Sequence, residues 1–300
     1  MGSILTSLRT GLLLLLVLVS GRAALADAPY SDARFWRVER AGTAPSYIFG
    51  TMHVTDPDVT VLPPEVSRAF DGSQALAVEL TMDPATQVVL QGAALTTDVN
   101  WIDSRLDDRQ RSLLADAAGL YQIPVANLRA LEPWAVTAMF SFPREELLRQ
   151  MNGLQPLDMQ LMDKAEASGK RLIALERVEE QIEAFTGYSD KEQIAMLTAT
   201  LESVGRIDGD FARMKGAYLA GNLADLSALA DEGFAELDPG LSGRIQQRLI
   251  ADRNRHMAER LEPLLNQGRL FVAVGALHLP GEGGVLNLLA QRGYRITAVE

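Results

Sequence analysis

Three histidines are spread over this chain, and two of them stand in the same setting. Gly50-Thr51-Met52-His53 and Gly275-Ala276-Leu277-His278 each place an imidazole three residues after a glycine that closes an apolar run. In an open parallel sheet, ligands bind beyond the carboxyl ends of the strands, so residues just past a strand can converge on a site. A glycine there permits the tight turn or close backbone approach that aims the ring at the sheet edge. Two carboxylates occupy equivalent positions: Glu79 lies at the end of ALAVEL (75–80), and Glu176 follows RLIAL (171–175). Four strand ends therefore present His, Glu, Glu and His. Two neutral imidazoles with a carboxylate are a usual ligand set for zinc or for ions of the Mn, Fe and Co type. A remaining carboxylate can serve as general base toward a water whose pKa the ion lowers to about 7. The chain has no cysteine, which excludes thiolate ligation and a cysteine nucleophile.

Each residue also has a plainer reading. A strand-end histidine can be a turn or capping residue. Glu79 can be solvated or paired with an arginine, and Glu176 can pair with its neighbour Arg177. His256, in the charged run 252–260, reads as an exposed surface residue. Arg253, in Asp252-Arg253-Asn254-Arg255, reads as part of a solvated helix face. Its functional alternative is a cation that clamps a substrate carboxylate or steadies a developing oxyanion. Gly281-Glu282-Gly283-Gly284 lacks the Lys and Ser/Thr of a P-loop and reads as a loop into the last helix. Neither HExxH nor GxSxG occurs.

The elements that would position these residues are short apolar runs at 46–50, 75–80, 171–175, 269–274 and 294–299. They are near-continuous rather than alternating, as strands buried on both faces require. Helical patterns separate them: 63–70, 104–120, 128–140, 144–151, 157–168, 179–185, 191–204, 210–220, 223–230, a long segment over 241–265, and 284–291. Strands joined through helices imply an α/β fold with a mostly parallel central sheet. Two helix-rich stretches, 84–168 and 178–266, exceed what a crossover needs and read as insertions forming a cap. No Pro/Ser linker divides the chain, so 27–300 reads as a single domain.

Composition sets the boundaries. With 300 residues, 47% of them hydrophobic and 22% charged, the chain is of ordinary globular type. Arg9, the apolar run from Leu12 to Val19, and Ala24-Leu25-Ala26 form the pattern of a secretory signal peptide over residues 1–26. The run is too short for a comfortable membrane span, which takes roughly 20 apolar residues. The alternative is an uncleaved anchor; no other run is long enough to span. Removal of a leader carrying Arg9, Arg22 and no acid would take the formal charge from −11 to −13. A chain this acidic should repel nucleic acid and anionic headgroups. The expectation is an exported protein, periplasmic or secreted, with no stable membrane span after cleavage.

The sequence resembles the TraB/GumN family, which includes the Tiki-type metalloproteases. The resemblance rests on an ordered set: Phe35-Trp36-Arg37-Val38, Tyr47-Ile48-Phe49-Gly50-Thr51-Met52-His53, Leu76-Ala77-Val78-Glu79, Leu157-Asp158-Met159-Gln160-Leu161 with Lys170, Ala174-Leu175-Glu176 with Glu180-Gln181, Asp252-Arg253-Asn254, Val272 through Gly281, and Gly293-Tyr294. It implies a fold related to the erythromycin-esterase and ChaN-like group. It further implies a divalent-metal-dependent hydrolase, a peptidase above all, using Mn, Co or Zn. His53, His278 and Glu79 would be the metal ligands, and Glu79, Glu176 and Arg253 the catalytic residues. The implied partner is a peptide or small-molecule substrate. The chain departs from the family pattern at Pro156, Arg177 and Met257. Two rivals stand beside this reading: a non-catalytic envelope module binding a peptide, porphyrin or glycan, and a metal-independent esterase with a histidine as base.

Overall fold

The computed structural model describes residues 28–233 and 237–299; the leader expected at 1–26 lies outside them. Six strands form one sheet: β1 (Phe35–Glu39), β2 (Ser46–Thr51), β3 (Ala75–Val78), β4 (Arg171–Ala174), β5 (Leu270–Gly275) and β6 (Arg295–Ala298), in the order β4-β3-β5-β2-β1-β6. β4, β3, β5 and β2 are mutually parallel. β1 runs antiparallel to both β2 and β6. The fold is thus α/β with a mostly parallel sheet and many helices.

The three apolar runs SYIFGT, ALAV and LFVAVG become the central strands because both their faces are covered. Every residue of β3 and β5 is buried, and Ile48, Phe49, Leu76, Phe271 and Val272 are fully so. Side chains of this kind each contribute about 1.5–3 kcal/mol when removed from water. β4 and β6 lie at the edges and are largely exposed, so continuous burial does not extend to them. β1 was not among the expected strands. Its sequence FWRVE interrupts the apolar run with Arg37, which points to solvent, and it lies near the edge of the sheet.

Two apolar clusters fill the interior. The first joins the sheet to the helices Pro64–Gly72, Leu157–Ala167, Ile207–Leu219, Leu223–Glu232, Arg253–Leu265 and Val285–Gln291. The second is built almost wholly from helices between 84 and 252, around Trp101, Leu114, Leu128, Phe140, Leu197 and Ile245. The expected helix over 104–120 is two helices, Trp101–Arg105 and Asp108–Tyr121. The break is made by Asp107, whose side chain caps the second with Gln110 in a reciprocal capping box. The helix Pro84–Ala94, capped by Asp83, was not expected. The long segment over 241–265 is helical but not uniformly α: Gln247–Asp252 is π-wound, immediately before Arg253. Such turns are rare and occur often at functional sites.

Candidate active site

Parallel pairing brings four strand ends to one edge. β2 and β5 are hydrogen-bonded neighbours, with Thr51 opposite Gly275. β3 lies on the other side of β5 and β4 beyond it, with Val78 opposite both Ala273 and Ala174. The ladder continues past the strands, where Leu175 N–H donates to Val78 O and Glu176 N–H to Glu79 O, both at 2.8 Å. Reading across the edge, the side chains are Glu176, Glu79, His278 and His53, all buried. A Cβ at Gly50 would lie 2.9 Å from Leu279 Cδ1 and 3.0 Å from Ala276 Cα, so its missing side chain lets the turn after β5 pack on β2.

Both imidazoles face the same carboxylate oxygen. His53 Nε2 is 3.9 Å and His278 Nε2 3.7 Å from Glu79 Oε1. Their other nitrogens are held from behind. His53 Nδ1 is 2.6 Å from Asp158 Oδ2, and Thr51 Oγ1 donates to the other oxygen of that carboxylate at 2.5 Å. His278 Nδ1 is 2.6 Å from Asn254 Oδ1, whose amide nitrogen donates to Gly283 O at 2.9 Å. An acceptor behind each ring places the proton on Nδ1 and turns Nε2 toward Glu79. The turn that carries His53 is anchored by Glu146, which is fully buried and accepts from Thr55 N at 2.8 Å, Thr55 Oγ1 at 3.0 Å and Gln150 Nε2 at 2.8 Å.

Glu79 is engaged on both oxygens. Gly275 N–H donates to Oε1 and Arg253 Nη2 to Oε2, each at 2.6 Å. Arg253 also binds Glu176 through Nε at 2.8 Å and Nη2 at 2.6 Å, and its Nη1 points at Leu249 O, 3.4 Å away. Two sequence expectations change here. Arg253 is not on a solvated face: it is 8% exposed. Its guanidinium bonds both carboxylates and orders them. Arg177 does not pair with Glu176 but with Glu180. His256 is exposed, away from the cluster.

The electrostatics of the two imidazoles differ. Burial resists a charge on His53, but the adjoining Asp158 carboxylate, by charge and hydrogen bond, outweighs it and pushes its pKa up to about 9. Burial, then Arg253 and His53, drive His278 down to about 3 against the pull of Glu79. Glu79 is held well below the usual carboxylate range: burial opposes this, but Arg253, the two imidazoles and the Gly275 N–H overcome it. Arg253 stays charged despite its burial because Glu176 and Glu79 flank it.

Among the described residues no group of three or more His, Asp or Glu side chains stands close enough to hold a metal ion as placed. Donors about 2.0–2.2 Å from a tetrahedral ion lie about 3.4 Å apart, and the 3.7 and 3.9 Å spacings are a little wider than that. A Cβ at Gly275 would enter the space between the donors, 3.1 Å from Glu79 Oε1, 3.4 Å from His278 Cδ2 and 3.7 Å from His53 Nε2. The glycine keeps that cradle open. Two imidazoles and one carboxylate oxygen face this space, donors of the type that divalent ions take.

Asp158, Thr51, Asn254 and Gly275 were not among the expected site residues. Asp158 and Asn254 do stand inside the motifs that carry the family resemblance, the one signal that could have marked them.

Fold and site define a class: a parallel-sheet α/β protein with histidines and carboxylates on the carboxyl edge of its sheet. The sequence profile of the TraB/PrgY/gumN family matches residues 34–298, and the chain belongs to that family. It is 30% identical to Metalloprotease TIKI2 of Danio rerio, over 90% of this chain and 62% of the relative. It is 26% identical to Metalloprotease TIKI1 of Homo sapiens, over 87% and 61%. It is 23% identical to Uncharacterized protein YbaP of Escherichia coli (strain K12), over 81% and 87%. The chain spans about three-fifths of the length of these TIKI relatives. No solved structure matches it. Among the described residues no helix is long and apolar enough to cross a membrane.

Proposed function

We propose that this chain is an exported, divalent-metal-dependent hydrolase that cuts peptide bonds, with the rim of His53, Glu79 and His278 as its metal site. The observation that carries the reading is the convergence of two imidazole Nε2 atoms on one oxygen of Glu79, with an oxygen acceptor behind each ring. The names of the TIKI relatives support the same reaction class.

A divalent ion of the Mn, Co or Zn kind, when bound, supplies a Lewis acid and makes water a nucleophile near neutral pH. His278, and His53 once it has given up its Nε2 proton, would hold it through Nε2. Asp158 and Asn254 keep the rings turned and fix the proton on each Nδ1. Glu79 stays ionised, and its Oε1 either completes the ligand set or accepts a proton from the attacking water. Arg253 and Glu176 hold Glu79 in place. The helical stretches 84–168 and 178–266 are read as insertions within a single unit over 27–300, and the second borders the cleft through Phe185, Met214, Leu226 and Leu249.

The test is a peptide-library cleavage screen of the purified mature chain, loaded with each metal, with and without chelator. Chelator-sensitive cleavage lost in His53→Ala and His278→Ala supports the proposal. Tight retention of a peptide, porphyrin or glycan without turnover supports a binding module instead. Ester hydrolysis that ignores chelator supports a metal-free histidine base. Glu79→Gln separates the roles of that residue: retained metal with lost turnover marks a base, and lost metal marks a ligand.

A further inference from the structure

The space beside the imidazoles is small. The cleft bordered by His53, Glu79, Arg253 and His278 measures about 40 Å³. A single water needs roughly 10–15 Å³, so there is room for about three water-sized groups. A catalytic ion would take one of these places. What is left suits a methyl group and is too small for an isobutyl or a benzyl one.

Beyond this polar floor the side chains that line the cleft are apolar. Phe185 enters from the helix Val178–Thr186, Met214 from Ile207–Leu219 and Leu226 from Leu223–Glu232. Leu249 and Ile250 come from the π-wound turn, and Leu277 from the turn that carries His278. Phe185, Leu226 and Leu249 are buried, whereas Met214, Ile250 and Leu277 keep part of their surface. The latter three therefore form the outer part of the wall, which an arriving chain meets first.

The polar groups of the floor are already matched. The Thr51 hydroxyl is donated to Asp158, and Arg253 is held by Glu79 and Glu176. The two Nε2 atoms and Glu79 Oε1 are the groups of the reaction itself. A charged substrate side chain would lose its hydration against the apolar wall without gaining a partner there. A bulky one would overfill the space.

We infer that the cleft accepts a residue beside the bond to be cut when that residue is small and uncharged, alanine above all, and that Met214 and Ile250 are the specificity-determining side chains. The inference rests on the peptidase reading above and names its substrate class.

Two measurements test it, one of them free of turnover. The N-acetyl methylamides of alanine, glycine, phenylalanine and aspartate are titrated into the mature chain and followed by NMR. The alanine compound should bind best, and the glycine one about fourfold more weakly for want of one buried methyl. The phenylalanine and aspartate compounds should not enter the cleft. Met214→Ala and Ile250→Ala, each checked by its melting temperature to be folded, should admit the phenylalanine compound, a gain that a damaged fold does not produce. In the metal-loaded protein, peptides with alanine beside the cut should be the substrates, and the same two variants should extend cleavage to phenylalanine. A wild type that binds the phenylalanine or aspartate compound as well as the alanine one overturns the inference. So does binding of none of them, or a preference unchanged in both variants. Cleavage without regard to residue size keeps the peptidase and sinks the selection. Selective binding with no cleavage keeps the selection and sinks the peptidase.

Discussion

The guanidinium of Arg253 and the carboxylate of Glu79 meet at 2.6 Å across 174 positions of sequence, both buried. The same guanidinium holds Glu176, so a single cation ties the ends of β3 and β4 together behind the imidazoles. Replacing it with methionine leaves two buried carboxylates without a counter-charge. Breaking a buried pair from one side costs about 3–5 kcal/mol. Arg253→Met should lose stability on that scale in urea unfolding. Arg253→Lys should recover only part of it, because an ammonium cannot match the forked geometry.

The acceptors behind the rings act on metal affinity rather than on the fold. Partners of this kind are worth about 10–100-fold in affinity when removed. Asp158→Asn and Asn254→Ala should each weaken divalent-ion binding within that range, read by calorimetric titration. Their melting temperatures should change far less than that of Arg253→Met.

Gly275 tests whether the space between the donors matters. Its backbone, at φ −51° and ψ 134°, suits any residue, so alanine introduces a steric effect and not a torsional one. The added methyl would press on Glu79 Oε1, which already sits 2.6 Å from the Gly275 nitrogen. Gly275→Ala should cost about 1–3 kcal/mol, the usual scale of overpacking, and should reduce divalent-ion binding more than Gly50→Ala does.

The pair Glu180–Arg260 gives a pH dependence away from the rim. Arg260 bonds both oxygens of Glu180 at 2.7 Å and also donates to Leu175 O, bracing the end of β4. Its guanidinium, against some burial and with help from Arg177, lowers the Glu180 pKa to about 2. A carboxylate depressed in the folded state stabilises fully above its unfolded value near 4.5 and loses that contribution as pH falls toward 2. Wild type should therefore exceed Glu180→Gln by about 1 kcal/mol at pH 7, after allowance for solvent screening at a partly exposed pair. The gap should narrow steadily from pH 5 to pH 3 in urea unfolding. A gap constant over that range would show that the ion pair is not its source.

Much of this was legible in the chain. The two GxxH motifs and the strand-end positions of Glu79 and Glu176 follow from apolar runs ending in glycine or acid, a local pattern. Their convergence needed only the rule for parallel sheets. What stayed hidden depends on partners distant in sequence. Arg253 sits in a run of charges that looks solvated; burial singles out one of its two arginines, because Glu79 and Glu176 arrive from strands 174 and 77 positions away. Asp158 and Asn254 carry no local sign that each will stand behind a ring. β1 is hidden by its exposed Arg37, and the helix Pro84–Ala94 by the exposure of Val88 and Val89 on its surface. The π-winding before Arg253 has no signature in residue propensity.

The most direct test of the account is the stoichiometry of metal bound by the purified mature chain, measured by elemental analysis after loading with Mn, Co or Zn and exhaustive dialysis. The account requires about one ion per wild-type chain, and none in either His53→Ala or His278→Ala, with both variants folded. A wild-type protein that retains no ion, or variants that retain it undiminished, would contradict it.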